Sequence, residues 1–304
     1  MVEPGQSAPE TPLFSIIVAV YNDWAMLEGC LQSLAGQSPG ASFEVIIVDD
    51  GSLETAPKFS DGAKRSYPLK VIRQSHAGIP AARNLGIRNS QGAVLLFVDA
   101  DCRFRSNTLG SLSSAIAASP EHDYFQLRIE GNLSTLAGRA EELRLITFQN
   151  HMLQPDGRIR YLNTAGFAIR RRKVNIEAGM FDPVALRAED TLLLANLMQR
   201  GELPLFVPDA VVEHAISLSL IGCIRKDIRT VRLEGKAYDM IAAKGVKIRV
   251  SHRERLRLLL SMWRTASQDS IGRSAWFVLV IRQAFQRVIS FGYQFLRGGL
   301  AANA

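Results

Sequence analysis

The chain has 304 residues, 47% of them hydrophobic and 21% charged, a balance that belongs to folded proteins rather than disordered ones and allows one large core or two modest ones. Its net charge of +7 is unevenly held: residues 215–304 carry 16 Lys or Arg against 5 Asp or Glu, whereas residues 1–214 carry 20 against 24. No apolar run approaches the ~20 residues that a membrane-spanning helix needs, and Cys30, Cys102 and Cys223 lie too far apart for a disulfide framework or a zinc motif. The first 12 residues, rich in Pro, Glu, Gly and Ser, lack the basic-then-apolar order of a signal peptide and read as a flexible N-terminus, so the expected location is cytoplasmic.

In chain order, Phe14 to Tyr21 and Phe43 to Val48 are short, almost continuously apolar, β-branched runs, the pattern of strands covered on both faces. Between them Trp24, Leu27, Leu31 and Leu34 recur at helical spacing until Gly36 and Pro39 end the pattern. Leu69 to Ile72 reads as a third strand, Ile79 to Asn89 as a helix and Ala93 to Val98 as a fourth strand. This βαβαβ alternation predicts a doubly wound α/β sheet over residues 13–215. Helices are expected over Leu109 to Ser119, Leu136 to Gln149 and Glu189 to Arg200, and strands over Tyr124 to Glu130, Thr164 to Arg170 and Pro204 to His214, the last with a Pro-Asp turn in its middle. From about residue 216 the sequence becomes basic, proline-free and helical in period, which sets a boundary between residues 13–215 and a region 216–304.

Four constellations carry chemistry. Asp49-Asp50-Gly51-Ser52 follows the second strand, where the carboxyl ends of an open sheet form the ligand crevice, although Asp-Gly-Ser is also a common turn. Asp99-Ala100-Asp101 follows the fourth strand, and two carboxylates so spaced can serve one ligand region, one toward a ribose and one toward a divalent cation on a diphosphate. Glu189-Asp190 opens a helix: the helix dipole favours acids there, and an Asp in a partly apolar cleft can also act as general base toward a hydroxyl. His214 ends a strand, where it is a ligand or a structural histidine.

The order and local sequence of these stretches, Ser15 to Asn22, Glu44 to Ser52, Gly78 to Asp101 and Gly166 to His214, resemble the family 2 inverting glycosyltransferases over about residues 13–215. The resemblance implies a GT-A fold, a Rossmann-like mixed sheet flanked by helices, with a mostly helical C-terminal extension, and a nucleotide-sugar donor, UDP-linked by family habit. It implies that Tyr21 lies against the nucleobase, that Asp50 accepts its imide hydrogen with Asp49 alongside, that Arg83 lies near the donor, and that Asp99 addresses the ribose. It further implies Asp101 and His214 as ligands of Mn²⁺ or Mg²⁺, and Asp190 as catalytic base with Glu189 positioning the acceptor, a saccharide or lipid-linked hydroxyl. Two positions depart from the pattern. Asn196 stands where many members have arginine six residues after the base, and the Gln-x-x-Arg-Trp motif of processive synthases is missing, since Leu260-Ser261-Met262 precede Trp263. A single-addition transferase is therefore expected, the alternative being a catalytically inactive nucleotide-sugar-binding or scaffold protein. A nucleotidyltransferase would need a Gly-rich loop after the first strand, and Tyr21-Asn22-Asp23-Trp24 is not one.

In the tail, Phe277, Ile281, Phe285, Val288, Gly292 and Phe295 fall on one helical side, with Arg282, Gln283, Gln286, Arg287 and Gln294 on another. Residues 225–297 therefore serve either packing, on the catalytic domain or in a homodimer, or peripheral attachment to an anionic membrane surface on its inner face. Nucleic acid is not an expected partner, since the basic tail carries no reading motif and the rest is acidic.

Overall fold

The computed structural model describes residues 11–57, 66–215, 220–246, 248, 250–268 and 271–301; the expected flexible N-terminus lies almost wholly outside them. One eight-stranded sheet runs through the molecule. Its parallel half is β1 (Phe14–Val20), β2 (Phe43–Asp49), β3 (Leu69–Arg73) and β4 (Val94–Asp99), with β1 between β2 and β4. Alternate residues of these strands enter cores on opposite faces: Ile16, Val18, Leu96 and Val98 on one side, Ile17, Leu95 and Phe97 on the other. Helices α1 (Trp24–Ala35) and α2 (Ile79–Arg88) cover the two faces. α1 buries Trp24, Leu27, Leu31 and Leu34 as its spacing foretells, and α2 approaches so closely that a Cβ at Gly86 would lie 2.4 Å from Ile17.

The other half of the sheet is mixed rather than simply doubly wound. A three-residue strand, β5 (Cys102–Phe104), follows β4 and pairs at the far edge, so that the full order is β3-β2-β1-β4-β7-β6-β8-β5. After α3 (Thr108–Ala118), β6 (Tyr124–Gly131) lies between β7 (Phe167–Arg170), its antiparallel neighbour, and β8 (Leu205–His214), its parallel one. Pro208 and Asp209 sit where the register of β8 jumps from Leu127↔Val207 to Arg128↔Val211, so the turn expected there is a bulge inside one strand. β7 starts at Phe167, preceded by a single 3₁₀ turn over Thr164–Gly166, three residues later than the sequence pattern suggests.

Two helices link these strands, α4 (Leu136–Met152) and α5 (Glu189–Gln199), and the C-terminal region adds α6 (Leu220–Ala243), α7 (His252–Gln268) and α8 (Arg273–Ala301). Ala140 and Leu143 of α4 share a core with Met262, Ala266, Ala275 and Leu279. Leu192 and Ala195 of α5 share another with Ala237 and Ile241. Among the described residues, no helix is long and apolar enough to cross a membrane.

Candidate active site

The strand order reverses around β1, and the carboxyl ends of β1, β2 and β4 therefore form one crevice. On the β2 side, Asp50 is buried and heavily engaged: Oδ1 accepts hydrogen bonds from Gln74 Nε2 (2.7 Å) and Ala77 N (2.8 Å), and Oδ2 from Gly78 N (2.9 Å), with His76 Nδ1 also 2.9 Å away. Four partners fill the acceptor capacity of one carboxylate, so here Asp50 anchors the turn into α2. Gly78 makes that turn at φ +92°, where a Cβ would come 2.8 Å from Leu186. Asp49 accepts from Ser52 N (2.8 Å) and lies 3.1 Å from Arg73 Nη1. Tyr21, 40% exposed, stacks on His76 with ring centroids 4.1 Å apart. The sequence reading did not single out His76, and its only signal is proximity to Gly78.

Arg83 is the centre of the site. Its guanidinium, 2% exposed, donates from Nη1 to Glu189 Oε1 (2.6 Å) and from Nη2 to Asp99 Oδ1 (2.8 Å), and lies 5.5 Å from the centre of the Phe181 ring. Burial alone would pull its pKa down; the charges of Asp99 and Glu189 outweigh burial and hold it above its ordinary value. This ion triad ties α2 and the end of β4 to the start of α5, with Arg83 and Glu189 separated by 106 positions of sequence.

Beyond Asp99 the chain reaches Asp101 and then β5, whose pairing sets Cys102 opposite His214. Asp101 Oδ1 and His214 Nε2 are 3.3 Å apart, and with the Cys102 sulfur these donors lie within 4.8 Å of one another. Burial, then the charges of Asp99 and Asp101, push the Cys102 thiol well up, so it stays protonated beside a carboxylate and an imidazole. One carboxylate oxygen and one imidazole nitrogen fit a divalent ion that completes its shell with phosphate and water oxygens.

Asp190 accepts at Oδ1 from Thr191 N (2.6 Å) and Thr191 Oγ1 (3.2 Å) at the N-terminus of α5. Burial, followed by the neighbouring Glu189 charge, pushes its carboxyl up to about 7. Ala188, just before the pair, is left-handed at φ +59°. A cavity of about 1270 Å³ joins Asp99, Arg83 and His214 to Glu189 and Asp190, and continues past Glu141 and Arg144 of α4 to the polar side of α8. Arg144 donates twice to Glu141, at 3.1 and 2.5 Å, an ion pair with no motif to mark it in the sequence. Tyr21, Asp49, Asp50 and Asp101 lie off the cavity lining, while Arg83, Asp99, Glu189, Asp190 and His214 are on it.

Several known proteins resemble this chain. Over 93 residues it is 41% identical to EpsH of Bacillus subtilis, and over 94 residues 36% identical to the glycosyltransferase AglE of Haloferax volcanii; each match covers 30% of this chain, and 27% and 31% of those proteins. The matched part is thus under a third of each relative. Among solved structures, the mannosyltransferase PcManGT of Pyrobaculum calidifontis, in complex with GDP-Man and Mn²⁺, superposes with a TM-score of 0.57 at 17% identity, covering 95% of this chain and 90% of that one. TarS 1–349 of Staphylococcus aureus, in complex with UDP, gives 0.52 at 19% identity, covering 92% and 91%. These two share the fold. The glycosyl transferase family 2 model matches residues 15–179, more than half of the chain, and the protein belongs to that family.

Proposed function

We propose that the protein is an inverting, non-processive glycosyltransferase that moves a sugar from a nucleotide-diphosphate sugar, with UDP the expected nucleotide, to the hydroxyl of a saccharide or lipid-linked acceptor. One observation carries the reading: a single cavity is lined by Asp99 and His214 together with a carboxyl, Asp190, whose pKa is raised to about 7. A base so poised keeps useful proton affinity while being about half ionised at neutral pH. In this reading Tyr21 and His76 offer ring faces to the nucleobase, Asp49 and Asp50 hold the loops beneath it, and Asp99 faces the ribose. Asp101 and His214 would hold the divalent ion, Mn²⁺ before Mg²⁺ because an imidazole is among the donors. Such an ion supplies neutralisation of the charge that builds on the leaving diphosphate.

Asp190 then takes the acceptor proton as the hydroxyl oxygen attacks the anomeric carbon from the face opposite the diphosphate, and the carbon–oxygen bond to the diphosphate breaks. Glu189 is held by Arg83 and shapes the acceptor side while its charge keeps Asp190 basic. One base and one leaving group suffice for a single displacement, unlike the two-carboxylate retaining scheme. The test is a panel of nucleotide-sugars scored by Mn²⁺-dependent thermal stabilisation and then by transfer. Asp190→Ala should keep the stabilisation and lose transfer, whereas His214→Ala should weaken the stabilisation by Mn²⁺. Full transfer by Asp190→Ala defeats the proposal.

A further inference from the structure

Helix α8 is amphipathic in an unexpected sense. Phe277, Ile281, Phe285 and Val288, spaced four, four and three residues apart, are 54%, 68%, 38% and 70% exposed. Its opposite side carries Ala275 and Leu279, which pack on α4, and then Arg282, Gln283, Gln286 and Arg287, which line the catalytic cavity. A helix whose only task was to cover the domain would turn its large apolar side chains inward. Gly292, Gln294 and Phe295, which the sequence pattern adds to these faces, lie outside the described side chains.

The outward stripe continues onto α7. Leu256 and Leu260 are 61% and 56% exposed, and Trp263, on the same side of α7, meets Phe277 with ring centroids 6.0 Å apart. Trp276 lies against both rings, and the Arg273 guanidinium lies over Trp263 at 5.3 Å. Arg253, Arg257, Arg264 and Arg273 are exposed on the same two helices. Among their described residues before position 291 the only acid is Glu254, half-buried and accepting from Ser251 N. Apolar rows, a tryptophan cluster and a one-signed set of arginines match a surface that is apolar beneath and anionic at its headgroups. A two-fold contact with a second copy would instead face these arginines with one another.

We infer that the exposed α7–α8 face docks on the anionic leaflet of a lipid bilayer, with α8 lying between the lipid and the catalytic cavity. The acceptor then reaches Asp190 from the membrane side, a step that rests on the proposed transferase reading; the docking surface itself does not.

The test uses the full chain with vesicles of phosphatidylglycerol and phosphatidylcholine, against vesicles of phosphatidylcholine alone. The protein should co-sediment with the anionic vesicles, release at high salt, and shift its tryptophan emission to the blue on binding. Ile281→Asp with Val288→Asp should weaken partition on the order of tenfold or more. The double variant should keep wild-type Mn²⁺-dependent turnover of a nucleotide-sugar in solution, because neither side chain lines the cavity. Ile281→Ser with Val288→Ser provides a variant without added charge and should weaken partition in the same direction. No affinity for anionic vesicles, undiminished affinity in both variants, or a dimer that the same substitutions dissociate while the wild type ignores vesicles would overturn the docking surface. Vesicle binding without donor turnover would leave the surface standing and remove the transferase reading; donor turnover without vesicle binding does the reverse.

Discussion

Replacing Asp190 by Asn should abolish transfer and yet stabilise the fold, by an amount that depends on pH in a defined direction. An ordinary Asp ionises near 3.8, whereas burial and the Glu189 charge hold Asp190 protonated in the folded chain up to about 7. Between these values the unfolded chain has lost a proton that the folded chain keeps, so this group makes folding less favourable as pH rises from about 4 to about 7 and adds nothing further above that. Asn does not titrate. At about 1.4 kcal/mol per pH unit, the two units from pH 5 to about 7 amount to about 2.7 kcal/mol. Screening of the half-buried carboxyl reduces this to roughly 1–2 kcal/mol. The advantage of Asp190→Asn over wild type should therefore be larger at pH 8 than at pH 5 by that amount, a few degrees in Tm for a chain of this length. Urea titrations of both proteins at the two pH values measure it, and contributions that do not titrate, such as altered packing around the amide, cancel in the comparison. A wild type that gains stability relative to the variant between pH 5 and pH 8 would refute an elevated Asp190.

Three further outcomes follow from the same geometry. The kcat/KM of transfer should fall about tenfold per pH unit below pH 7 and level off above it; Glu189→Gln should move the inflection to lower pH, because Glu189 raises the Asp190 pKa, and Arg83→Met should move it higher, because Arg83 lowers it. Arg83→Met should also destabilise by about 3–5 kcal/mol in denaturant titration, since Glu189 keeps its burial and loses its counter-charge, and Arg83→Lys should restore only part of this because one ammonium cannot reproduce the fork to two carboxylates. Gly179→Ala should cost about 2 kcal/mol or more by the same measurement: its φ is +76°, and a Cβ would lie 2.4 Å from the Asn84 carboxamide that binds Met180 N, Phe181 N and Phe181 O.

What could be read from the sequence follows physical lines. β1, β2 and β4 were legible because both faces are buried and the residues are β-branched, and α1 because its apolar side chains keep a 3.6-residue period. β5 was not, since three residues cannot display a period, and with it went the route by which β4 hands over to the far edge and sets Cys102 beside His214. The acidic positions were visible as residues at strand ends and at a helix start, but the Arg83 bridge between Asp99 and Glu189 depends on side chains 16 and 106 positions away. The two faces of α8 were legible as a division; which face turns outward was not, because an amphipathic pattern does not say which side is covered.

Composition changes near residue 216, but packing does not stop there. Ala188 is held in the left-handed region, a conformation that costs a residue with a Cβ about 1–2 kcal/mol, immediately before the two acids that open α5. Ala188 packs against a core in which Ala185, Leu192 and Ala195 meet Ala237 and Ile241 of α6, and at the far end of α5 Gln199 Nε2 donates to Lys244 O at 3.0 Å. Among the described residues the other non-glycine residue with positive φ, Asn22, is fixed inside the α/β part itself, its side-chain oxygen accepting from Leu53 N at 2.7 Å and its own N–H donating to Ser52 Oγ at 2.9 Å. The two left-handed turns, one after β1 and one before α5, are supported from different parts of the chain. Among the described residues, Tyr21 is oriented from within residues 13–215, whereas the turn that carries Asp190 also packs on the C-terminal helices, so the basic region completes the acid-bearing side of the site rather than merely following it.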